Sequence, residues 1–395
     1  MSFFQKNLKV TSDLEMIANR QQQLKTKWKK GEFSHLFNVD QELGRANQKN
    51  CENMIGAVAL PVGLAGPVKI TCEKQTTEFF VPLATSEGAL VASVNRGLKA
   101  INQAGEAEVI VQNVGITRAP VFAFKKGSEA YAFTKYLEQP KILKQISSIT
   151  EATSAHLKFL KLMSFVRGRN VYVRFSFLTD QAMGMNMVTI ALQKLWEDFL
   201  SQYEGIEMLA LSSNVCTDKK SSFINQILGR GYSAQAEVFL SEKILQSIFK
   251  TNVKALIRTH HAKNLLGSNL AGSLASNMQF ANVVAAFYMA TGQDLAHVTE
   301  ASQGTTIIEE ESNADGEKGV YFAVNLPNLP LGSVGGGTNL PAQKELKNLI
   351  SKDNKKIDSS QLVAILATGV LAVEISGLAA LSNHTLAKAH QSLAR

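Results

Sequence analysis

Four ionisable side chains of different types stand in otherwise uncharged surroundings in this sequence. Asp294 and Glu87 are each the only charged residue in a long segment, Lys219 lies just after the uncharged run LALSSNVCT, and His390 lies beyond an apolar run near the end of the chain. A carboxylate in an apolar segment is costly to bury unless a partner or a pKa shift compensates, and such placement is common in catalytic sites. For each residue alone, a structural ion pair or a loop-edge position is the better explanation. Together they predict a proton-transfer site assembled from distant parts of the chain.

A glycine-rich segment, GSVGGGT at Gly332–Thr338, is a further candidate for ligand binding. Glycines allow a close approach of the backbone, and their exposed N–H groups can hold a phosphate. The segment is not the dinucleotide fingerprint GxGxxG, and it lacks the Gly-Lys-Ser/Thr ending of a Walker loop. On this pattern alone, a flexible turn is as good an explanation as a phosphate site.

The chain that must position these residues has 395 residues, of which 45% are apolar and 19% charged. That composition supports a substantial interior, and the length predicts two or three domains. The predicted class is α+β: a large, mostly helical α/β domain, a small domain inserted at a βαβ-like block, and a helical N-terminal region. The predicted boundaries are 1–52 for the N-terminal region, 53–118 with 213–395 for the large domain, and 119–212 for the small domain.

Periodicity predicts the main elements. Alternating apolar residues predict a strand over Asn170–Leu178, and a face of small residues predicts a closely packed helix over Ser86–Ile101. A charged amphipathic pattern predicts helix over Ala130–Lys161. After Ser222 the pattern is mostly helical, apart from a predicted strand at Gly319–Asn328.

Charge and cysteine content limit the classes of partner. The net charge of +8 fits an anionic ligand, a nucleic acid or an acidic membrane surface. The densest basic cluster, KTKWKK, has no aromatic-interleaved counterpart and is interpreted as a solvated helix face. The apolar run Leu362–Val373, closed by Glu374, is too short to cross a bilayer and predicts a buried helix. Three cysteines without CxxC spacing argue against a zinc site, and no signal-like segment opens the chain. We therefore expect a soluble, cytoplasmic protein without a metal.

Six segments occur in one fixed order: ENMIGAVALPVGLAGP, ATSEGALVASVNRG, DQAMGMNM, CTDKK, GQD and GSVGGGT. In that order, residues 52–395 resemble the catalytic domain of 3-hydroxy-3-methylglutaryl-coenzyme A (HMG-CoA) reductases. The AMGMNM form and the short extension after the last histidine are similar to the class shared by eukaryotes and archaea. The resemblance implies a two-step reduction of the acyl thioester HMG-CoA to mevalonate and free coenzyme A, with two NADPH as hydride donors.

The resemblance implies a role for each of the four isolated groups. Hydride attack on a thioester builds negative charge on the carbonyl oxygen, and Lys219 of TDKK is implied to stabilise it. His390 is implied to protonate the departing coenzyme A thiolate, a task that suits a histidine, whereas His384 fits less well. Glu87 is implied to donate to the aldehyde oxygen in the second reduction, and Asp294 to bridge Glu87 and Lys219.

Two binding sites are also implied by the resemblance. The substrate carboxylate and coenzyme A are expected at Arg118, Ser212, Asn214, Asp218, Lys220, Lys263, Asn282, Asn95 and Arg96. The resemblance implies that the inserted small domain is a ferredoxin-like nucleotide-binding domain. The dinucleotide is expected at Ser154, Gln181, Met183, Gly184, Met185, Asn186, Met187, Val334, Gly335, Gly337 and Arg395. Without the resemblance, Arg118 would be assigned to a surface ion pair.

The sequence departs from the family pattern at the nucleotide. Gln181 stands where the family has the aspartate of DAMGMNM, and a glutamine can still bond a ribose hydroxyl but carries no charge. Ala155 stands where the family often has an arginine near the adenosine 2′-phosphate. We expect NADPH to be used, with NADH left open, because Ser154, Lys158 and Arg395 are still present.

Three rival functions compete with a thioester reductase: a weak or regulatory paralogue, an unrelated nicotinamide oxidoreductase, and a basic nucleic-acid-binding module. The presence of all four ionisable groups argues against a weak or regulatory paralogue. An unrelated nicotinamide oxidoreductase would leave the TDKK loop unexplained. Only the net charge supports a nucleic-acid-binding module. The resemblance implies active sites at a dimer interface, so a homodimer or homotetramer is expected, binding neither nucleic acid nor membrane. The biosynthetic or degradative direction of the reaction stays open.

Overall fold

The computed structural model describes residues 12–27, 33–351 and 356–384. These residues form a mixed structure of helices and strands. The strands are β1 Val62–Cys72, β2 Gln75–Ala84, β3 Ala107–Arg118, β4 Val121–Ala123, β5 Lys158–Arg167, β6 Asn170–Leu178, β7 Glu207–Ala210, β8 Arg230–Ser241, β9 Thr305–Ser312 and β10 Lys318–Leu329. The helices are α1 Asp13–Lys27, α2 Gln41–Gly44, α3 Ala46–Lys49, α4 Leu90–Ala104, α5 Gly127–Leu137, α6 Pro140–Glu151, α7 Met185–Asp198, α8 Phe223–Leu228, α9 Glu242–Ile244, α10 Val253–His260, α11 Ser268–Ala271, α12 Phe280–Thr291, α13 Val298–Ala301, α14 Pro341–Leu349 and α15 Ser359–Ser382. Shorter 3₁₀ or π-helical turns cover Leu200–Gln202, Leu245–Phe249, His261–Gly267, Leu295–His297 and Gly336–Asn339.

Strand β3 belongs to two sheets. Its first part pairs antiparallel with β8, from Glu108 opposite Glu237 onward, and parallel with β1. Its last three residues pair antiparallel with β6, beginning with Ile116 opposite Phe177. The strand order is β7-β4-β6-β3-β8-β10-β9, with β1 and β2 attached to β3 on one side and β5 attached to β6 on the other. The register shifts just before Gly115, whose φ of +85° is readily adopted by glycine.

Each sheet has its own hydrophobic core. The larger core is formed by buried residues of β1–β3 and β8–β10 with α4, α12 and α15. The smaller core contains only residues between Ile116 and Leu211, chiefly from β6 and helices α5–α7. Ile17, Ala46 and Met54 form a third, small cluster beneath the N-terminal helices. The two main cores are consistent with a large and a small domain, whose exact boundaries stay a prediction.

Helix α15 is the centre of the larger core and is twice as long as predicted. It runs 24 residues from a capping box at Asp358 and Gln361, and it continues past Glu374, so the prediction that Glu374 closes the apolar run was wrong. The Glu374 carboxylate is fully buried and accepts hydrogen bonds from the backbone N–H groups of Met278 and Gln279 and from the Thr306 hydroxyl. These donors permit burial of an acid inside an apolar helix. By length and composition α15 could cross a membrane, but its apolar window is entirely buried in the protein, as a central core helix also is.

Close approach of α4 and α15 confirms the small-residue face predicted for the earlier helix, although α4 begins only at Leu90. A side chain at Gly97 would collide with the carbonyl of Ala372. The strand at Asn170–Leu178 is confirmed, and β10 contains the strand predicted at Gly319–Asn328.

Three strands lie where helix was predicted. Strands β8 and β9 lie in the region predicted to be helical after residue 222, and β5 begins at Lys158 inside a predicted helical stretch. The buried positions of β8 include Ala234 and Ala236, whose small side chains give a weak period-two signal. Strand β9 ends in three glutamates at an exposed edge, a composition that disfavours a strand prediction.

Candidate active site

A cavity of about 620 Å³ lies where the two cores meet. It is bounded by the start of α7, the loop between β7 and α8, the turn after α12 and the glycine-rich segment after β10. Its lining includes Arg118, Met183, Gly184, Met185, Asn186, Met187, Asp218, Lys219, Asp294, His297, Val334, Gly335 and Gly337. Many residues predicted for substrate, nucleotide and catalysis therefore share one cavity.

Lys219 and Asp294 form an ion pair at this cavity. Nζ of Lys219 lies 2.9 Å from Oδ2 of Asp294, and both side chains are partly exposed. The other carboxylate oxygen of Asp294 accepts a hydrogen bond from the backbone N–H of Ala296 at 3.1 Å. Partial burial acts to raise the pKa of Asp294, but the hydrogen bonds from Lys219 and Ala296 and the nearby positive charge of Lys219 outweigh it and lower the pKa. The prediction that Asp294 contacts Lys219 is thus matched by the geometry.

The loop that presents Lys219 has an unusual backbone. Asn214, Thr217 and Lys219 are non-glycine residues with φ between +59° and +65°. Such conformations cost free energy and persist only where surrounding contacts hold them. The guanidinium of buried Arg174, on β6, donates to the carbonyl of Val215 at 2.6 Å and thereby ties the loop to the smaller sheet.

A buried charge network lies behind the cavity, and the sequence reasoning missed it. Arg230 is fully buried and contacts Glu300 at 2.7 Å and Asp218 at 3.0 Å. Glu300 also accepts the backbone N–H of Lys219 at 3.0 Å and faces Nδ1 of His297 at 2.7 Å. One sequence signal was available, because Asp294, His297 and Glu300 follow each other at intervals of three.

The same network contains a group of possible metal ligands. Ligand-type atoms of Asp218, His297 and Glu300 lie within 4.8 Å of one another. Both carboxylates, however, already contact the Arg230 guanidinium. The charge of the two acids is therefore balanced by a protein cation.

The glycine-rich segment is held directly against the Asp294 turn. Gly292, at φ +72°, approaches Gly337 so closely that a side chain at Gly292 would collide with the Gly337 carbonyl. Val334 forms a parallel bridge with Ala182, one residue before the Met183–Met187 segment. The glycine backbone and the N-terminus of the 14-residue helix α7 consequently face the same cavity.

Gln181 supports this arrangement from behind. Its side-chain oxygen accepts hydrogen bonds from the Ser333 hydroxyl at 2.9 Å and from the backbone N–H of Ser359 at 2.8 Å. In this structure it ties the glycine-rich segment to the start of α15. The predicted contact with the ribose is untested. Ser154 lies outside the cavity lining, next to a pair formed by Nδ1 of His156 and Asp180 at 2.8 Å.

Arg118, at the end of β3, has one unused donor. Nη1 lies 3.6 Å from Asp218 and Nη2 donates to the Thr189 hydroxyl at 2.9 Å. The Nε atom is buried and has no hydrogen-bond partner among the residues that the structure describes. An unsatisfied cationic donor beside a cavity favours an anionic ligand.

The remaining loop residues predicted to bind substrate lie beside this arginine. Ser212 contacts the sulfur of Cys216 at 3.4 Å, and Nζ of Lys220 donates to the Asp218 carbonyl at 3.1 Å. The Asn214 carbonyl accepts the backbone N–H of Thr217 at 2.9 Å, which stabilises the turn of the loop.

Glu87 and Asn282 form a separate pair, in which the Asn282 amide donates to Glu87 at 3.0 Å. Within residues 12–27, 33–351 and 356–384, Glu87 makes no hydrogen bond or ion pair with Asp294 or Lys219. The predicted bridge by Asp294 is therefore present toward Lys219 only. Glu374 holds the residues just before α12, which carries Asn282, and so helps to position this pair.

Seven of the nine predicted substrate residues are absent from the lining of the main cavity, among them Asn95, Arg96 and Lys263. Asn95 accepts the backbone N–H of Gly66 at 2.8 Å, and Arg96 donates to the Ser376 carbonyl on α15 at 2.8 Å, so both make structural contacts. Exposed Lys263 lines a second groove together with Arg258. His390 and Arg395 lie outside the described residues, so their predicted roles have no counterpart in this geometry.

The chemistry available at the main cavity combines a cation, carboxylates and backbone N–H groups. Lys219 can stabilise an oxyanion, Arg118 can hold an anionic group, and a helix N-terminus next to glycines can hold a phosphate. That set fits the reduction of a carbonyl compound that carries negative charge.

Comparison with known proteins identifies close relatives. A family model for hydroxymethylglutaryl-coenzyme A reductase matches residues 16–395. The 3-hydroxy-3-methylglutaryl-coenzyme A reductase of Methanocaldococcus jannaschii is 43% identical over 373 residues, covering 92% of this chain and 89% of the relative. That of Methanothermobacter thermautotrophicus is 41% identical over 365 residues, with the same coverage. A structure of the class II enzyme from Streptococcus pneumoniae, bound to NADPH in open conformations, shares the fold with a TM-score of 0.65 at 18% identity, covering 92% of this chain and 96% of that one.

Proposed function

The chain belongs to the hydroxymethylglutaryl-coenzyme A reductase family, the NADPH-dependent oxidoreductases of the mevalonate pathway, and we propose that the cavity around Lys219 and Asp294 is its catalytic site. The overall reaction consumes HMG-CoA, two NADPH and two protons, and releases mevalonate, coenzyme A and two NADP⁺. The observation that carries the assignment is the 2.9 Å pair of Lys219 and Asp294 beside an unsatisfied Arg118 donor.

Lys219 stabilises the oxyanion. Its ammonium group lines the cavity and is held in place by Asp294, so it need not reorganise as charge develops on the carbonyl oxygen. The left-handed backbone at Lys219, fixed by Glu300, directs the side chain out of the loop. We expect this cation to act in both reductions, because each one converts a carbonyl oxygen to an alkoxide.

The residues around the cavity fit a dinucleotide. The open space above Gly335 and Gly336, where an added side chain would meet nothing within 4 Å, leaves their backbone accessible to a bound phosphate. The α7 N-terminus, beginning after Gly184, adds further free N–H groups. When bound, the reduced nicotinamide supplies the hydride. Ser154, Gln181, Asn186 and Arg395 complete the proposed site, with Met183, Met185, Met187, Val334 and Gly337 as packing surfaces.

Proton transfer is assigned to two residues. His390 protonates the coenzyme A thiolate after the first reduction, so that the thiol leaves as a neutral group. Glu87, oriented by the amide of Asn282, donates a proton to the alkoxide oxygen of the second reduction. Asp294 keeps Lys219 aligned between the two steps.

The substrate's free carboxylate is placed against the cations of the loop. Arg118 offers its unused Nε–H, and exposed Lys220 is free to turn toward the ligand. The negative charge of Asp218 offsets part of the positive charge of this region, because Asp218 contacts Arg118 and Arg230. Ser212, Asn214, Lys263 and Asn282 supply further polar contacts, and Asn95 and Arg96 lie toward the coenzyme A end.

The smaller core is assigned to a ferredoxin-like nucleotide-binding domain inserted at residues 119–212. Its antiparallel strands β4–β7 and helices α5–α7 support this assignment. We further propose that the protein works in the cytoplasm, where its cysteines Cys51, Cys72 and Cys216, free in this structure, stay reduced.

Dimerisation is proposed from exposed apolar side chains near the active-site loop. Phe223 and Ile227 on α8 are about two-thirds exposed, and Leu270 on α11 is 90% exposed. Gln226 donates to the Leu274 carbonyl, so α8 and the segment after α11 are neighbours. An apolar surface of this kind is typical of a subunit interface, and a homodimer or homotetramer is the assembly we assign.

One assay tests the function. Purified protein is mixed with HMG-CoA and NADPH, and the absorbance of the nucleotide and the release of free thiol are followed together. We expect two NADPH oxidised per thiol released and no oxidation without the thioester. A ratio of one, or equal turnover of a simple aldehyde and the thioester, would contradict the two-step reduction.

A further inference from the structure

Two buried residues behind the cavity take no part in the steps above. His297 and Glu300 have no exposed side-chain surface. A single carboxylate oxygen, Oε1 of Glu300, lies within hydrogen-bonding distance of three nitrogen atoms: Nη1 of Arg230 at 2.7 Å, Nδ1 of His297 at 2.7 Å and the backbone nitrogen of Lys219 at 3.0 Å. This oxygen therefore links the catalytic loop to the turn that carries Asp294.

The hydrogen on the His297 ring can be assigned from these contacts. Oε1 of Glu300 already accepts hydrogen bonds from the Arg230 guanidinium and from the backbone N–H of Lys219, which are groups that can only donate. The same oxygen therefore accepts from the ring as well, and Nδ1 of His297 carries the hydrogen that faces Glu300. The other ring nitrogen, Nε2, is buried and has no hydrogen-bond partner in the described part of the chain. It lies 3.6 Å from Oδ2 of Asp294.

Nε2 of His297 therefore faces the carboxylate that pairs with Lys219. If Nε2 carries no hydrogen, its lone pair faces the lone pairs of the Asp294 carboxylate. If Nε2 carries a hydrogen, the ring directs an N–H donor at Asp294. A separation of 3.6 Å is longer than a hydrogen bond, and such contacts often shorten when substrate binds. Asp218, at 3.9 Å from Nδ1, also faces the ring. The Tyr288 hydroxyl, buried without a partner in these residues, adds an electrostatic interaction with Asp294 and Glu300.

We propose that His297 and Glu300 are positioning residues for the Lys219–Asp294 pair. Glu300 fixes Lys219 through its backbone N–H and fixes the His297 ring through Nδ1. His297 in turn holds a proton at Nε2 and directs that N–H to Asp294, so both members of the pair are aligned from behind by one carboxylate. The proposal rests on the proposed function, because it assumes that this pair is catalytic.

Substitution of the histidine tests the proposal in the full-length protein. His297→Leu removes both ring nitrogens at similar size, whereas His297→Gln keeps an amide donor that cannot titrate. His297→Leu should lower kcat for the thioester and for the free aldehyde on the order of 10-fold to 100-fold, the usual cost of a reacting group displaced by about 1 Å. The KM for NADPH should change little. His297→Gln should recover most of the rate.

His260→Gln is the matched control. His260 is also buried, lies on α10 next to Asn264 and does not line the catalytic cavity. Its substitution should leave kcat unchanged. A wild-type kcat in His297→Leu, or a glutamine variant no better than the leucine variant, would overturn the positioning role. An inactive wild type would instead overturn the proposed function itself.

A spectroscopic test does not depend on whether the variants fold. Nitrogen-15 NMR of the histidine rings in the wild-type protein should show a hydrogen on Nδ1 of His297. The Nε2 signal should move in Asp294→Asn. A neutral ring with its hydrogen on Nε2 and a bare Nδ1, or an Nε2 signal that is indifferent to Asp294→Asn, would refute the assignment.

Discussion

Nζ of Lys219 lies 2.9 Å from Oδ2 of Asp294, so the cation proposed to stabilise the oxyanion is oriented by a carboxylate. This contact joins the loop after β7 to the turn after α12, two parts of the chain that share no sheet or helix. The proposed catalytic pair therefore depends on how the two loops are supported.

Lys219→Met should reduce kcat for HMG-CoA by roughly 10²-fold to 10³-fold, because it removes the oxyanion donor. Asp294→Asn should also reduce kcat, since the lysine loses the charge that aligns it. The double variant should be little worse than Lys219→Met alone, because residues that act as a unit are not additive. Steady-state kinetics of the four proteins measure this, with Lys194→Met, at a surface pair with Asp198, as the control. Additive losses would mean that the two residues act independently.

His390→Gln should impair thioester reduction far more than reduction of the free aldehyde intermediate, since the aldehyde step releases no thiolate. A loss on the order of 10²-fold is expected for one general acid. The two half-reactions are compared by supplying each substrate separately, with His384→Gln as the matched control. Equal losses in both half-reactions would assign His390 a structural role.

Ala155→Arg should raise the preference for NADPH over NADH and leave the NADH rate nearly unchanged. The new guanidinium adds a charge-assisted hydrogen bond to the 2′-phosphate, worth about 1.5–3 kcal/mol, or roughly tenfold or more in selectivity. The ratio of kcat/KM values for the two nucleotides is the readout. Ala104→Arg, at the exposed end of α4, adds the same charge elsewhere and should leave the ratio unmoved. A wild type that prefers NADH outright would contradict this account of the nucleotide site.

Glu374→Gln should change how stability depends on pH. Burial raises the pKa of Glu374 above its usual 4.5, and the hydrogen bonds from Thr306, Met278 and Gln279 offset only part of this effect. Above pH 4.5, Glu374 loses its proton in the unfolded chain but keeps it in the folded protein. The free energy of unfolding of the wild type therefore falls as pH rises from 4.5 toward the higher pKa of Glu374 in the folded state. Relative to Glu374→Gln, the wild type should therefore become less stable over that interval and change no further above it.

Denaturant unfolding of both proteins at several pH values from 4.5 upward measures this difference. Glu345→Gln, at an exposed position on α14, corrects for the loss of one carboxylate. A wild type that gains stability relative to Glu374→Gln as pH rises would show that the buried acid is ionised in the fold.

The sequence predicted the elements whose side chains carry a strong period. Strand β6 was found because large apolar residues such as Val171, Val173 and Phe175 alternate along it, whereas β8 alternates through alanines. The length of α15 was underestimated because a glutamate inside an apolar run normally ends it, and the donors that satisfy Glu374 come from distant segments. Contacts of that kind leave no periodic signal.

In the candidate site, too, some residues could be identified from the sequence and others could not. Lys219 and Asp294 were identified because each is the charged member of an uncharged or motif-bearing segment, and the structure brings them together. Arg230 and Glu300 were missed although each is the only Asp, Glu, Lys or Arg residue in its segment, 221–236 and 295–308. Neither belongs to one of the quoted motifs, and their pairing is visible only once β8 and the segment after α12 are folded. The residues that hold the reacting groups in position are harder to identify from sequence than the reacting groups themselves.

Strand β3 gives backbone hydrogen bonds to both sheets and ends at Arg118. The segment that forms the smaller core therefore cannot be exchanged independently of the rest of the chain. A break within β3 would remove part of a strand that both sheets share. Grafting a foreign nucleotide-binding unit here would require its first strand to match the register of β8 as well as that of β6. Recombination between relatives should therefore succeed at breakpoints that keep residues 107–118 with both partners and fail at breakpoints within the strand.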